Sequence, residues 1–196
     1  LKGLFNIGAG VDALMQLRLP TGVPVVRLDD AGMSVQMAEY VCHAVIRYFR
    51  ELDVYAEEAQ QAHWAFRRPR IRADFTVGVM GLGVLGQRVA QALRGFEFPV
   101  VGWSRTPREV EGITCHAGAE GLSAFLGASQ VLVNLLPLTP DTENILNRDT
   151  LAQLRPGAYV INVARGAHLE EAARLALLDS DHRSGATPDV FLTEPL

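Results

Sequence analysis

The chain has little with which to hold a metal, a disulfide framework or a nucleic acid. Among its 196 residues there are two cysteines, Cys42 and Cys115, far apart and without ligand spacing around them. Free thiols in a reducing cytoplasm are expected, with Cys42 packed in a helix. The net charge of −4 and the lack of any basic stretch argue against nucleic acid as a partner. No apolar run reaches membrane-spanning length, and no basic segment followed by an apolar one marks a signal peptide, so no membrane partner is expected. With 48% hydrophobic and 20% charged residues, the composition suits a sizeable core rather than disorder. Leu1 opens in mid-pattern without a starting Met, and "TEPL" directly follows a strand-like segment, so an excerpt of a longer chain is expected.

What is present, from Phe75 onwards, is an alternation of short apolar runs and amphipathic stretches. The runs at 75–80, 98–103, 130–136, 158–163 and 186–191 start about 22 to 32 residues apart, room for one crossover helix each. Continuous Val/Ile/Leu runs suit strands buried on both faces of a parallel sheet. Leu85, Val89, Leu93 and Phe96 recur at helical spacing after the first. "LTPDTENIL" is read as another helix, with Thr139 as N-cap, Pro140 in the first turn and Asp141 near the positive end. The fold class is α/β, a doubly wound parallel-sheet (Rossmann) domain. Upstream, Met37, Val41, Val45, Tyr48, Leu52 and Tyr55 predict one long helix over 33–61, which links two domains, packs on a partner or is an ordinary core helix. Residues 1–32 hold a Gly-rich turn, "NIGAGVD", and a strand candidate, "VPVVRL", as the tail of another small α/β unit.

Gly81, Gly83 and Gly86 form G-x-G-x-x-G between a strand and a helix, a context that makes the pattern a dinucleotide fingerprint. Gly81 permits the tight turn, Gly83 lets a pyrophosphate approach the backbone, and Gly86 allows close helix–strand packing. Val84 and Leu85 open the helix whose N–H groups favour the phosphates. The acid that usually follows the second strand, to hold a ribose, is missing. Ser104, Arg105 and Thr106 stand there, two hydroxyls and a planar cation suited to a 2′-phosphate. NADP(H) is therefore expected in preference to NAD(H).

"VMGLGVLGQRVA", "NLLPLTPDTENILN", "LRPGAYVINVARGAHLEE" and "DVFLTEPL" together resemble the D-isomer-specific 2-hydroxyacid dehydrogenases, and "GAGVD" with "WSRT" is most similar to their bacterial glyoxylate/hydroxypyruvate reductase branch. The resemblance implies a flavodoxin-like substrate domain, partial here (1–32), beside an NAD(P)-binding domain (33–196). It implies an enzyme that reduces small 2-oxoacids by hydride transfer, usually a cytoplasmic homodimer. It puts the catalytic arginine at Arg165 and, at Glu194, the glutamate that pairs with a catalytic histidine. Ala9 and Gly10 match the loop that binds the substrate carboxylate, as does Arg165. Leu136, Pro137, Thr142, Ala164 and Asp189 match positions lining the nicotinamide half of the cofactor site. Two departures stand out. The catalytic histidine belongs to a motif beyond "EPL", and none of His43, His63, His116, His168 or His182 has its context. Pro188 replaces an apolar strand residue, so that strand end is expected to be irregular or at an edge. Trp64 is expected either to shape the pocket between domains or to anchor the linker by burial. A nucleotide-sensing binding protein of the same fold is the alternative reading.

Overall fold

The computed structural model describes all residues except 9, 16, 29, 171, 174–184 and 193–196. Among the described residues six parallel strands form the main sheet: β3 (Val77–Met80), β4 (Val100–Ser104), β5 (Thr114–Ala117), β6 (Val131–Asn134), β7 (Tyr159–Asn162) and β8 (Gly185–Pro188). Their order is β5-β4-β3-β6-β7-β8. The chain leaves the central strand β3 in one direction, then returns to its other side, which is the doubly wound Rossmann arrangement. A separate pair, β1 (Leu4–Asn6) and β2 (Val25–Arg27), is also parallel, with the short helix α1 (Asp12–Met15) between them.

Period-2 alternation sends each strand's side chains to two different cores. Val77, Val79, Val131, Val133 and Ile161 meet the helices α2 (Met33–Phe49) and α4 (Val84–Gly95). Met80, Leu132 and Val160 pack on the other face with Phe125 and Leu126 of α5 (Gly118–Ala128). A fully buried Val, Leu or Phe contributes roughly 1.5–3 kcal/mol, so residues such as Val41, Val45, Val89 and Leu93, with no exposed surface, decide where the helices sit. Cys42 is buried in α2, its thiol pushed up to about 11 by desolvation, and both cysteines are free. No helix among the described residues is long and apolar enough to cross a membrane.

Several expectations are corrected. The long helix over 33–61 is two helices, α2 and α3 (Leu52–Gln60), broken at Glu51, which adopts left-handed dihedrals (φ 53°). Arg67 grips the Glu51 carboxylate with two N–H groups at 3.0 and 3.2 Å, and Arg70 adds a second cation, so contacts from the segment that follows α3 hold the break. Beyond it Leu52 and Tyr55 are exposed rather than buried, as is Phe96 at the end of α4. No helix forms at "LTPDTENIL": residues 140–144 are a turn, because the Thr142 hydroxyl donates to the Pro137 carbonyl (2.7 Å) and accepts the Thr139 N–H (2.8 Å). The helix starts later, at α6 (Arg148–Leu151), with Asn147 as its cap. Trp64 is 84% exposed and anchors nothing by burial. Pro188 ends β8, the outermost strand described, where a missing N–H is tolerated.

Candidate functional site

Because every strand of the main sheet is parallel, the loops after β3, β4, β6, β7 and β8 emerge at one edge. The reversal of strand order between β3 and β6 opens the crevice in which such sheets bind ligands. The structure thus brings Gly81–Gly86, Ser104–Thr106, Leu136–Pro137, Ala164–Arg165 and Asp189 to the same rim.

The three loop glycines differ in what the protein demands of them. Gly81 has φ 108°, and a Cβ there would stand 2.9 Å from the Leu135 carbonyl carbon. A Cβ on Gly86 would run into the Gly81 carbonyl oxygen, so the helix could not close on the strand. Gly83 caps α4 from extended dihedrals, and a Cβ on it meets nothing within 4 Å. Its side-chain position is therefore not dictated by the protein. Val84 begins the helix and is exposed, leaving the first-turn N–H groups open to an anion, while Leu85 is half-buried.

After β4 the three polar residues divide their tasks. Ser104 is buried, and its hydroxyl donates to the Thr106 carbonyl at 2.8 Å, so it shapes the turn instead of offering a free donor. Arg105 and Thr106 are exposed at the rim.

Adjacent strands β6 and β7 both end in asparagine, and Asn134 and Asn162 pair directly in the sheet register. Asn134 Nδ2 donates to Asn162 Oδ1 (3.0 Å), while Asn134 Oδ1 accepts the Leu136 N–H (3.2 Å). Asn162 Oδ1 also accepts the Ala164 N–H (3.3 Å), and its Nδ2 donates to the Arg165 carbonyl (2.9 Å). This buried pair fixes the course of both loops. Sequence reasoning passed over it, although the repeated endings "VLVN" and "YVIN" were the available signal.

Arg165 projects from the second of these loops. Its Nε and Nη2 donate to the two carboxylate oxygens of Asp12 at 3.1 and 2.9 Å, and its Nη1 to the Ala164 carbonyl at 2.7 Å. The hydrogen bonds from Arg165 hold the Asp12 carboxyl below its ordinary range, against the opposing effect of burial. Gly10 lies alongside: a Cβ on it would strike Arg165 Nη2. Asn6 ties the same loop down by donating to the carbonyls of Gly8 and Gly10 at 2.8 and 2.7 Å. Asp189 follows β8 at the rim and is exposed. Ala9 and Glu194 lie outside the described residues.

His168, set aside in the sequence, is fully buried. Its Nε2 faces the Pro137 carbonyl at 3.3 Å, so that nitrogen carries the proton, and Nδ1 is buried without a partner among the described residues. Burial lowers its pKa below the ordinary 6.5. The folded state then binds fewer protons than the unfolded state over the window between the lowered value and 6.5. Stability contributed by neutral His168 is complete above 6.5 and drains as pH falls below it, by at most about 1.4 kcal/mol per pH unit. Denaturant titrations at pH 7.5, 6 and 5 should show this slope in the parent and a shallower one in His168→Gln; parallel slopes would count against it.

Compared with known proteins, residues 42–196 match the family model described as the NAD binding domain of D-isomer specific 2-hydroxyacid dehydrogenases. Glyoxylate/hydroxypyruvate reductase A of Yersinia enterocolitica and that of Serratia proteamaculans are each 50% identical over the whole of this chain. The chain spans 64% of the length of both. Among solved structures, a D-isomer specific 2-hydroxyacid dehydrogenase from Xanthobacter autotrophicus Py2, in complex with NADPH and MES, superposes with a TM-score of 0.94 at 45% identity, over all of this chain and 62% of that one. An NADPH-dependent glyoxylate/hydroxypyruvate reductase from Sinorhizobium meliloti, in complex with NADP and sulfate, gives 0.95 at 41% identity, over all of this chain and 63% of that one.

Proposed function

The chain belongs to the D-isomer specific 2-hydroxyacid dehydrogenase family, and from that premise we propose that it is the nucleotide-binding part, with a portion of the substrate domain, of an NADPH-dependent reductase of glyoxylate, hydroxypyruvate and similar small 2-oxoacids. Residues 1–32 belong to the substrate domain and 33–196 to the NAD(P)-binding domain. One observation carries the reading: at a single sheet edge stand a glycine loop whose middle glycine faces open space and an arginine fork with donors to spare.

The residues fit the cofactor. Backbone N–H groups at Gly83, Val84, Leu85 and Gly86 would hold its pyrophosphate, with Gly81 making the turn. Arg105, with the turn formed by Ser104 and Thr106, would hold the 2′-phosphate. Leu136, Pro137, Thr142, Ala164 and Asp189 would border the nicotinamide half. When bound, the dihydronicotinamide supplies a hydride to the substrate's ketone carbon. Arg165, with the Gly10 loop, binds the 2-oxoacid's carboxylate and polarises its ketone, where charge develops as the reaction proceeds. Glu194 is assigned to hold the histidine that donates the proton.

Steady-state turnover of hydroxypyruvate and glyoxylate by the full-length protein, with NADPH and NADH compared, tests the reading. A nucleotide sensor would bind cofactor and turn over neither substrate. Gly83→Ala is expected to keep the parent's melting temperature, since its Cβ meets no protein atom, yet to weaken NADPH binding about tenfold or more. Unchanged affinity in that variant would place the pyrophosphate elsewhere. A cytoplasmic homodimer is proposed with this function, supported by the exposed Leu52, Trp64, Phe66 and Ile71 around α3 and the linker. Light scattering of the full-length protein checks the dimer.

A further inference from the structure

An arginine side chain has five N–H donors in a planar fork. In Arg165 three are engaged: Nε and one N–H of Nη2 by Asp12, and one N–H of Nη1 by the Ala164 carbonyl. Asp12 thereby occupies the side edge of the guanidinium, the one that Nε shares with Nη2. One N–H on each terminal nitrogen remains uncommitted among the described residues, so what Asp12 leaves to a ligand lies on the terminal nitrogens and not on the Nε edge. We infer that Asp12 is a positioning residue that takes the side edge of Arg165 and so dictates that the substrate meets its terminal nitrogens. The inference rests on the reading of Arg165 as the group that binds the 2-oxoacid.

Three features argue that the contact is built rather than casual. It joins residues 153 positions apart, one at the start of α1 beside the β1–β2 pair and the other in the loop after β7 of the main sheet. Asp12 opens α1 directly after the loop that Asn6 ties at Gly8 and Gly10, so the carboxylate is presented from a fixed base. Gly10 leaves room for Nη2 where any other residue would place a Cβ on it. The pair is also too exposed to contribute much to stability, with Arg165 at 42% and Asp12 at 25% side-chain exposure. Its worth lies in orientation: a site's contacting group acts well only if its own partners lock it.

The test uses the full-length protein with Asp12→Asn and Asp12→Glu. Asparagine offers one acceptor and an NH2 group that repels the second N–H of the fork, so the guanidinium swings free. Expected for Asp12→Asn is a fall in kcat for hydroxypyruvate of about tenfold or more with a raised KM. NADPH affinity and melting temperature should stay near the parent's. Asp12→Glu, which keeps the carboxylate, should recover most of the loss. A second readout needs no turnover: calorimetric binding of oxalate to the NADP-loaded protein should weaken about tenfold in Asp12→Asn. Parental kcat/KM and oxalate affinity in that variant would overturn the inference. So would a faster enzyme that binds oxalate more tightly, because Asp12 would then be a competitor for the fork. If the parent turns over no 2-oxoacid but binds oxalate in an Asp12-dependent way, the reductase reading fails and the positioning role stands. A parent that neither reacts nor binds oxalate would overturn both.

Discussion

Arg165→Lys in the full-length protein is expected to cut kcat/KM for hydroxypyruvate by on the order of a hundredfold or more, with NADPH affinity nearly unchanged. Lysine keeps the positive charge, so a purely electrostatic role would survive. It loses the rigid fork, in which one edge is already given to Asp12 and one Nη1 N–H to the Ala164 carbonyl while one N–H on each terminal nitrogen stays uncommitted among the described residues. An ammonium has three donors on one atom and cannot face two carboxylate oxygens of Asp12 and two of the substrate from fixed, separate directions. The Asn134–Asn162 pair would still set the backbone of the loop, so the damage should be confined to the side chain. Parallel measurement of kcat, KM and the NADPH dissociation constant checks this. A near-normal rate would mean that another residue orients the substrate.

Arg105→Ala is expected to weaken NADPH binding roughly ten- to a hundredfold, the equivalent of one charge-assisted hydrogen bond of about 1.5–3 kcal/mol, while NADH binding changes little. No carboxylate stands between Val100 and Arg108 to repel a 2′-phosphate. Ser104 spends its hydroxyl on the Thr106 carbonyl, leaving the exposed guanidinium as the principal means of discrimination in this turn. Fluorescence titration of parent and variant with both cofactors gives the four constants needed. Equal affinities for NADPH and NADH in the parent would refute the assignment.

The elements legible in the sequence were those whose side chains are dictated by burial on both faces. β3, β4, β6 and β7 are continuous apolar runs and were found, while β5 reads "TCHA", starts at an exposed threonine and lies at the sheet's margin, where no apolar pattern is imposed. β1 and β2 are three residues each and at most half-buried, too short for any periodicity to speak. The break at Glu51 has neither glycine nor proline to announce it, because its cause lies 16 residues downstream in Arg67. At the rim, the glycine loop was legible because backbone geometry allows almost no other residue at Gly81 and Gly86. Asp12 was not singled out, although it stands inside "GAGVD": its meaning depends on Arg165, which no local pattern brings to it.

The order of strands has a consequence for how far the domain can be divided. Val77 pairs with Val100 on one side and with Val131 on the other, so the two flanks of β3 come from opposite sides of a long stretch of chain. A polypeptide ending before Val131 would contain the complete glycine loop and three of the six strands. Yet β3 would then be an edge strand, the N–H and C=O groups that face β6 left unpaired along a strand whose every residue is buried. The half that carries the phosphate loop is therefore not a module that can be lent out alone. Gly83 and Arg165, one on each side of the point where the chain doubles back, stand or fall as parts of a single cooperative unit.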